Sequence, residues 1–89
     1  MSLKDQFKQA QDDVNNLPKR PANEELLNLY ALFKQATAGD VAGKRPGMLD
    51  IKGRAKYDAW AGKEGMAKKD AMQQYVDYVA NLQTKYGGG

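Results

Sequence analysis

Three clusters of helix-breaking residues divide this chain into four stretches, and this division limits the fold more than any other feature of the sequence. The clusters are residues 18–21, with two prolines, residues 38–50, with three glycines and a proline, and residues 62–65, with two glycines. Proline cannot donate a hydrogen bond inside a helix, and glycine holds helical geometry poorly. We therefore predict an all-α fold with one helix in each stretch.

Apolar side chains in the first and last stretches recur at spacings of three and four. Such spacing places them on one face of a helix, which can then be buried. The first set, in a helix of about residues 3–16, is Phe7, Ala10, Val14 and Leu17, and the second, in a helix of about residues 68–86, is Met72, Tyr75, Val76, Val79, Leu82 and Tyr86. Glycines follow at positions 87–89, and they predict a flexible tail.

The second helix is predicted to begin at an Asn23 N-cap and to run to about residue 37. Glu24 and Glu25 would then lie in its first turn, where the helix dipole favours negative charge. Apolar side chains cover more than half of its circumference, which is more than one interhelical contact requires. They are Leu26, Leu27, Leu29, Tyr30, Leu32 and Phe33. We expect this helix to pack on one side and to meet a ligand on the other.

The third helix is predicted to begin after an Asp50 N-cap and to end near residue 62. Tyr57 and Trp60 are three residues apart and therefore share a face. We expect both rings to point to the core.

Composition excludes several classes of chemistry. The chain of 89 residues has no cysteine and no histidine, so thiol nucleophiles, disulfides, zinc fingers and histidine acid–base catalysis are absent. We predict no catalytic residues and no metal site, and a chain of this length is too short for a large enclosed cavity. It has neither an apolar run long enough to span a bilayer nor a signal peptide, which favours the cytoplasm.

The middle of the chain combines aromatic rings with positive charge. Tyr30, Phe33 and Lys34 share one helical face, and Lys52 and Lys56 share another. Together they could bind an anionic ligand that carries a flat ring. Taken singly, such rings more often belong to a core, and such lysines more often face water.

Positive charge is concentrated in one segment. Residues 44–56 contain five basic side chains and one acidic side chain, whereas residues 1–33 contain four basic and five acidic ones. This distribution indicates a local anionic partner rather than a uniformly basic surface.

A family resemblance extends over essentially the whole chain. It is carried by five segments in a fixed order, YxxFKQAT, GD, RPGMLD, KGRAKYDAW and DAMQQYV. In this order they resemble the acyl-coenzyme-A-binding protein family. The resemblance implies one domain, residues 1–89, folded as a four-helix bundle of up-down-down-up topology. It also implies reversible binding, buffering and intracellular transport of medium- to long-chain fatty acyl-CoA esters, without catalysis and without a cofactor.

The resemblance also implies roles for individual residues in the head-group site. Tyr30, Lys34 and Lys56 would bind the ribose 3′-phosphate of coenzyme A, and the adenine would lie near the rings of Phe33 and Tyr75. A phosphate suits several ammonium and hydroxyl donors, and adenine offers a flat face for stacking.

Further positions would hold the acyl chain. Lys52 would lie further along the ligand, its stem covering methylene groups. Phe7, Leu26 and Leu27 would shield the acyl chain from water in a groove between helices.

Five positions depart from the family's usual residues. Tyr57 replaces a common tryptophan, and Gln11 stands where alanine is frequent, which would narrow or polarise the groove. Phe33 stands where many members have tyrosine, so it can stack but cannot donate a hydroxyl to the phosphate. Asn15 replaces a basic residue that could meet a phosphate. Ala67 replaces the serine or threonine that usually caps the fourth helix, which we expect to cost ~0.5–2 kcal/mol of stability.

The resemblance implies a monomer whose partners are acyl-CoA esters and, transiently, acyl-CoA-using enzymes or membranes. A nucleic-acid-binding module is less consistent with the sequence, because 14 basic residues are matched by 11 acidic ones and no helix has a continuous basic face. A role as a secreted regulator, also found in this family, stays open. An enzyme is the least favoured class, because Asp50 and Asp58 lack a partnered base and the isomerase domain sometimes fused to this module is absent.

Overall fold

The structure, a computed structural model, describes residues 1–87, and this part of the chain contains four helices and no strand. The helices are α1 (Leu3–Asn15), α2 (Asn23–Thr37), α3 (Ile51–Ala61) and α4 (Lys68–Tyr86). The predicted all-α class is confirmed, and the predicted bounds agree to within about a residue. None of the described helices is both long and apolar enough to cross a bilayer.

The predicted N-cap of α2 was wrong by one position. Ala22 is the N-cap, and its backbone N–H donates to Oε1 of Glu25 at 2.9 Å. The Asn23 side chain instead accepts a hydrogen bond from Arg20 at 3.3 Å. Asp50 does cap α3 as predicted, because its Oδ1 accepts from the backbone N–H of Gly53 at 2.9 Å.

Helix α4 is capped at one end only. Its N-cap Ala67 makes no side-chain hydrogen bond, as the missing hydroxyl predicts. At the other end Gly87 adopts a φ of 74° and its N–H donates to the carbonyl of Gln83, closing the helix. Positions 88 and 89 lie outside the described residues, so the flexible tail stays a prediction there.

The core is built by three helices. Helix α4 packs against both α1 and α2, while α3 packs against α2. Leu32 of α2 and Val79 of α4 are almost completely buried at its centre. The buried apolar cluster consists of Phe7, Ala10, Leu29, Leu32, Ala36, Ala71, Tyr75, Val79 and Leu82.

Helix α3 contributes no buried residue, so the expectation that Tyr57 and Trp60 point to the core was wrong. The Tyr57 hydroxyl donates to the carbonyl of Gly43 at 3.0 Å, and the Trp60 indole N–H donates to that of Gly39 at 2.8 Å. Their spacing correctly placed them on one face of α3. That face meets the α2–α3 loop, and the spacing does not determine which part of the protein covers it.

A buried glutamine ties the start of this loop to the α3–α4 turn. The side-chain amide of Gln35 donates to Asp40 Oδ1 and to the carbonyl of Met66, both at 2.8 Å. The same carboxylate accepts from the backbone N–H of Gly65 at 2.8 Å. The hydrogen bond from the Gly65 N–H, followed by that from the Gln35 amide, lowers the pKa of Asp40. These hydrogen bonds fix the turn after α3 and the beginning of the α2–α3 loop relative to α2.

The beginning of α2 is fastened to the end of α4 by Glu25, a residue only 9% exposed. Its carboxylate accepts from Lys85 Nζ at 2.8 Å and from the Tyr86 hydroxyl. These bonds, that of Lys85 first, lower the pKa of Glu25 to about 2. Glu25 therefore stays charged at neutral pH and holds the two helices together.

Candidate ligand-binding site

Two cavities lie along α2 and meet. The first cavity, of about 500 Å³, opens between the end of α1, α2 and α4. The second cavity, of about 770 Å³, opens between α2 and α3. Arg20, Leu26 and Tyr30 line both, so the cavities are contiguous across these three residues. Their sizes fall in the range typical of small-molecule sites.

The first cavity has an aromatic wall. Tyr30, Phe33 and Tyr75 line it, although they come from two different helices. Phe7 packs against Phe33 and Tyr75. Its ring is stacked on Phe33 with centroids 5.9 Å apart, and it meets Tyr75 edge-on at 5.0 Å. The wall of this cavity is therefore continuous with the hydrophobic core.

The second cavity has aliphatic walls and a basic side. Leu26 and Leu27 face it from α2, and Ile51 and Ala55 from α3. Lys52 and Lys56 also line it, one helical turn apart. The Nζ of Lys56 lies 5.4 Å from the centre of the Tyr30 ring, a cation–π contact at the junction of the two cavities.

Two of the residues predicted from the sequence line neither cavity. The Nζ of Lys34 sits 4.8 Å from the centre of the Trp60 ring. Phe7 is buried beneath the aromatic wall, with 6% of its surface exposed. The structure thus brings Tyr30, Lys52, Lys56 and the rings of Phe33 and Tyr75 to one composite site. Phe7 lies beneath its aromatic wall, and Lys34 lies against Trp60, which lines neither cavity.

The sequence reading missed the basic residues before α2. Lys19 and Arg20 line the first cavity, and Arg20 also lines the second. The sequence pattern marks them only as part of a helix-breaking cluster. A basic pair held between two prolines, in an otherwise acidic half of the chain, was the available signal. Asn15, one of the departures from the family pattern, lines the first cavity as well.

The electrostatics of both cavities favour an anion. No acidic residue of the described chain lines either one, whereas Lys19 and Arg20 line the first, and Arg20, Lys52 and Lys56 the second. Burial raises the pKa of Tyr75 above its ordinary value, so its hydroxyl stays protonated at neutral pH and can donate. Within residues 1–87 no group of three or more side chains is placed to hold a metal ion.

These side chains can neutralise an anion, stack on a flat ring and cover an alkyl chain. All three rings line the first cavity, which also has aliphatic side chains from Val14, Leu17, Leu26 and Leu29. Tyr30 is the one ring of the described chain in the lining of the second cavity, which is otherwise mostly aliphatic and basic. The arrangement therefore suits one elongated amphiphile with an anionic, ring-bearing head.

Comparisons with known proteins point to one family. The family model described as "Acyl CoA binding protein" matches residues 4–79. The acyl-CoA-binding protein homolog of Manduca sexta is 51% identical over 98% of both chains. The acyl-CoA-binding protein homolog 1 of Caenorhabditis elegans is 52% identical over 91% of this chain and 94% of its own.

Solved structures are similar as well. The crystal structure of acyl-CoA-binding protein 2 from Oryza sativa aligns with a TM-score of 0.88 and 40% identity, over 93% of this chain and 90% of that chain. The crystal structure of the acyl-CoA-binding protein from Moniliophthora perniciosa aligns with a TM-score of 0.87 and 43% identity, over 97% of this chain and 84% of that chain.

Proposed function

The chain belongs to the acyl-CoA-binding protein family and binds and transports acyl-CoA, and we propose that it holds one ester across both cavities. The nucleotide head lies in the first cavity and the acyl chain in the second. Binding is reversible and no bond is made or broken. The protein thus buffers and carries medium- to long-chain esters in the cytoplasm, and it does so as a monomer.

One observation carries this proposal. The ring-lined cavity and the aliphatic cavity are contiguous across Arg20, Leu26 and Tyr30, and neither is lined by an acid of the described chain. A ligand with a charged aromatic head and a long apolar tail matches this order of surfaces. A nucleic acid does not, because it has no tail to cover the aliphatic walls.

In the first cavity the adenine stacks against Phe33 and Tyr75, which is worth ~1–3 kcal/mol per base. Tyr30 and Lys56, at the junction, bind the 3′-phosphate. Lys34 joins them by turning from the ring of Trp60. Lys34 and Trp60 are both partly buried, where a cation–π contact is worth between about 0.5 and about 2 kcal/mol, and a hydrogen bond to a charged group is worth about 1.5–3 kcal/mol. The exchange is therefore favourable.

In the second cavity Leu26, Leu27 and Ile51 cover the acyl chain. The stem of Lys52 lies along its methylene groups while the ammonium stays in water. Phe7 acts from beneath, by supporting the aromatic wall. Each buried methylene group contributes about 0.8 kcal/mol before ordering costs. The tail therefore sets the affinity, and the phosphate sets the identity of the ligand.

Titration calorimetry with palmitoyl-CoA, palmitate and free coenzyme A, side by side, tests this function. Only palmitoyl-CoA should bind tightly, because neither part alone fills both cavities. In a series of acyl lengths, each added pair of carbons should lower Kd by up to about fifteenfold until the cavity is full. Equal binding of acetyl-CoA and palmitoyl-CoA would show that the tail is not enclosed.

A further inference from the structure

A third cavity, of about 320 Å³, lies between α2 and α3, on the side of α2 that faces away from the first cavity. The lining of this third cavity consists of Glu24, Leu27, Asn28 and Ala31 from α2, and of Asp58, Ala59, Gly62 and Lys63 from α3 and the turn after it. Side chains of both charges lie here, whereas no acid of the described chain lines the second cavity. The proposed ligand site therefore borders a cavity of different chemistry.

The three cavities follow one another around α2. Each residue of a helix is turned by about 100° from the residue before it. Leu26 and Tyr30 line the first and second cavities, whereas Leu27, turned further around the helix, lines the second and third. Among the described residues, Leu27 is the one that the second and third cavities share. A chain that crosses from the first cavity through the second therefore approaches Leu27.

The side chain of Leu27 divides the second cavity from the third. On α3, Ala55 lines the second cavity and Ala59 lines the third, one helical turn apart. Their methyl groups are too short to close the boundary, so the isobutyl group of Leu27 closes it. Leu27 is half-buried, and it belongs neither to the buried core cluster nor to the apolar side chains packed against that cluster. Its main structural effect is therefore to separate the two cavities.

The lining beyond Leu27 suits a hydrocarbon chain poorly. Glu24, Asp58 and Lys63 bring charge to the third cavity. The guanidinium of Arg45 donates to both carboxylate oxygens of Asp58, at 2.9 and 2.7 Å, and so keeps that wall polar. Methylene groups placed against charged side chains displace water from them, which costs free energy. Carbons beyond Leu27 therefore gain less than carbons inside the second cavity.

We propose that Leu27 sets the upper limit of acyl length, because its side chain closes the second cavity against the third. The inference rests on the proposed function, in which the second cavity holds the acyl chain. An ester whose chain reaches Leu27 gains the full burial that the second cavity offers. Further methylene groups stay in water and add no affinity. A smaller residue at position 27 joins the two cavities and extends the path by the about 320 Å³ of the third one, along Ala31 and Ala59.

Calorimetry with saturated acyl-CoA esters, from octanoyl to lignoceroyl, tests the limit on wild type and Leu27→Ala. The Kd of the wild type should decrease with acyl length and then reach a plateau. Leu27→Ala should bind the shorter esters up to about tenfold more weakly, because part of the wall is lost. Past the wild-type plateau its Kd should continue to decrease, by about three- to fifteenfold for each added pair of carbons. Leu27 lies outside the core cluster, so the urea midpoint of the variant should stay close to that of the wild type.

Two further variants separate a partition from an ordinary wall. Ile51→Ala shortens a side chain that lines the second cavity and not the third. It should weaken binding but leave the plateau at the wild-type length. Ala59→Leu refills the third cavity, so Leu27→Ala combined with Ala59→Leu should return the plateau to the wild-type length. Ala59→Leu alone should bind all esters like the wild type, because the closed second cavity does not include it.

Photo-crosslinking locates the end of the acyl chain directly. A long-chain ester with a diazirine at its last carbon is bound, irradiated and mapped on the protein by mass spectrometry. In Leu27→Ala the label should appear on Asn28 and Lys63, which line the third cavity. In the wild type these two residues should stay unlabelled.

Three results would overturn the role of Leu27. A plateau at the wild-type length in Leu27→Ala would make this residue an ordinary wall of the second cavity. An equal shift of the plateau in Ile51→Ala would assign the limit to the total volume of that cavity. Labelling of Asn28 and Lys63 in the wild type would show that the third cavity is already open to the chain. A wild type whose affinity does not depend on acyl length at all would instead refute the proposed function, and the length limit with it.

Discussion

The two cavities are walled by different kinds of structure. Phe33 and Tyr75 of the first cavity pack on Phe7, which belongs to the core shared by α1, α2 and α4. The second cavity is closed by α3, which has no buried residue and packs on α2. In the first cavity the same side chains serve folding and binding. On the α3 wall of the second cavity, binding can change while folding does not.

The size of the chain explains this division. A domain of 89 residues buries roughly 60–65% of its unfolded surface. Three helices already use the large apolar side chains to form one core. Helix α3 packs on α2 without a buried residue of its own, and hydrogen bonds from Gln35, Tyr57 and Trp60 tie it and its flanking loops together. Such a helix can carry lysines and exposed apolar residues without reducing the core.

The sharpest test of this difference compares one residue from each cavity. Tyr75→Ala should lose ~3–5 kcal/mol of folding free energy, because a buried ring leaves a cavity in the core. Ile51→Ala removes a side chain that is 77% exposed, so its folding free energy should change by less than about 0.5 kcal/mol. Its affinity for long-chain esters should nevertheless fall. Urea denaturation and calorimetry on both variants measure the two quantities.

Tyr75→Phe keeps the comparison testable if Tyr75→Ala does not fold. It removes only the hydroxyl and keeps the ring contact with Phe7, so it should stay folded and still stack on adenine. A Tyr75→Ala variant as stable as the wild type would mean that the first cavity is no more tied to the core than the second.

The next largest effect is expected at the lysines. Lys56→Ala should weaken palmitoyl-CoA binding by about 1.5–3 kcal/mol, or roughly ten- to 150-fold, through loss of a charge-assisted hydrogen bond. Lys34→Ala should weaken it less, because Lys34 gives up its contact with Trp60 when it binds the phosphate. Neither lysine is buried, so unfolding in urea should be little changed. Lys69→Ala on α4 is the control.

An ester of dephospho-coenzyme A, which lacks the 3′-phosphate, completes a double-mutant cycle. It should bind the wild type weakly and be nearly insensitive to either substitution. If it bound as tightly as the normal ester, the two lysines would be ordinary surface charges.

Much of this architecture could be predicted from the chain, because breakers and helical spacing are local signals. The bounds of the helices followed from the prolines, the glycines and the Asp50 cap. The directions of Tyr57 and Trp60 did not, because spacing gives a shared face but not the neighbour that covers it. Arg20 lines both cavities because the chain folds back along α2, and no local sequence pattern encodes that path.

The acid stability of the protein should reveal the fastening of α2 to α4. The pKa of Glu25 is about 2 when folded and 4.5 ordinarily, so its ionised form stabilises the fold above pH 4.5. That contribution is lost as the pH falls from 4.5 to 2. Glu25→Gln should lower the urea midpoint at pH 7. Between pH 4.5 and pH 2 the midpoint of the variant should also decrease less steeply than that of the wild type. Equal slopes for both proteins would mean that this carboxylate does not couple to folding.

The smallest effect on global stability should come from the tie between α3 and its loop. Arg45 lowers the pKa of Asp58 through their hydrogen bonds, but the two side chains are 45% and 51% exposed. Solvent and salt screen such pairs, so Asp58→Asn should barely move the urea midpoint at 0.15 M salt. Amide exchange should instead quicken in α3 and in residues 38–50, while the centre of α4 stays protected. If Asp58→Asn lowered the midpoint as much as Glu25→Gln, α3 would unfold together with the core, and the two cavities would be equally dependent on it.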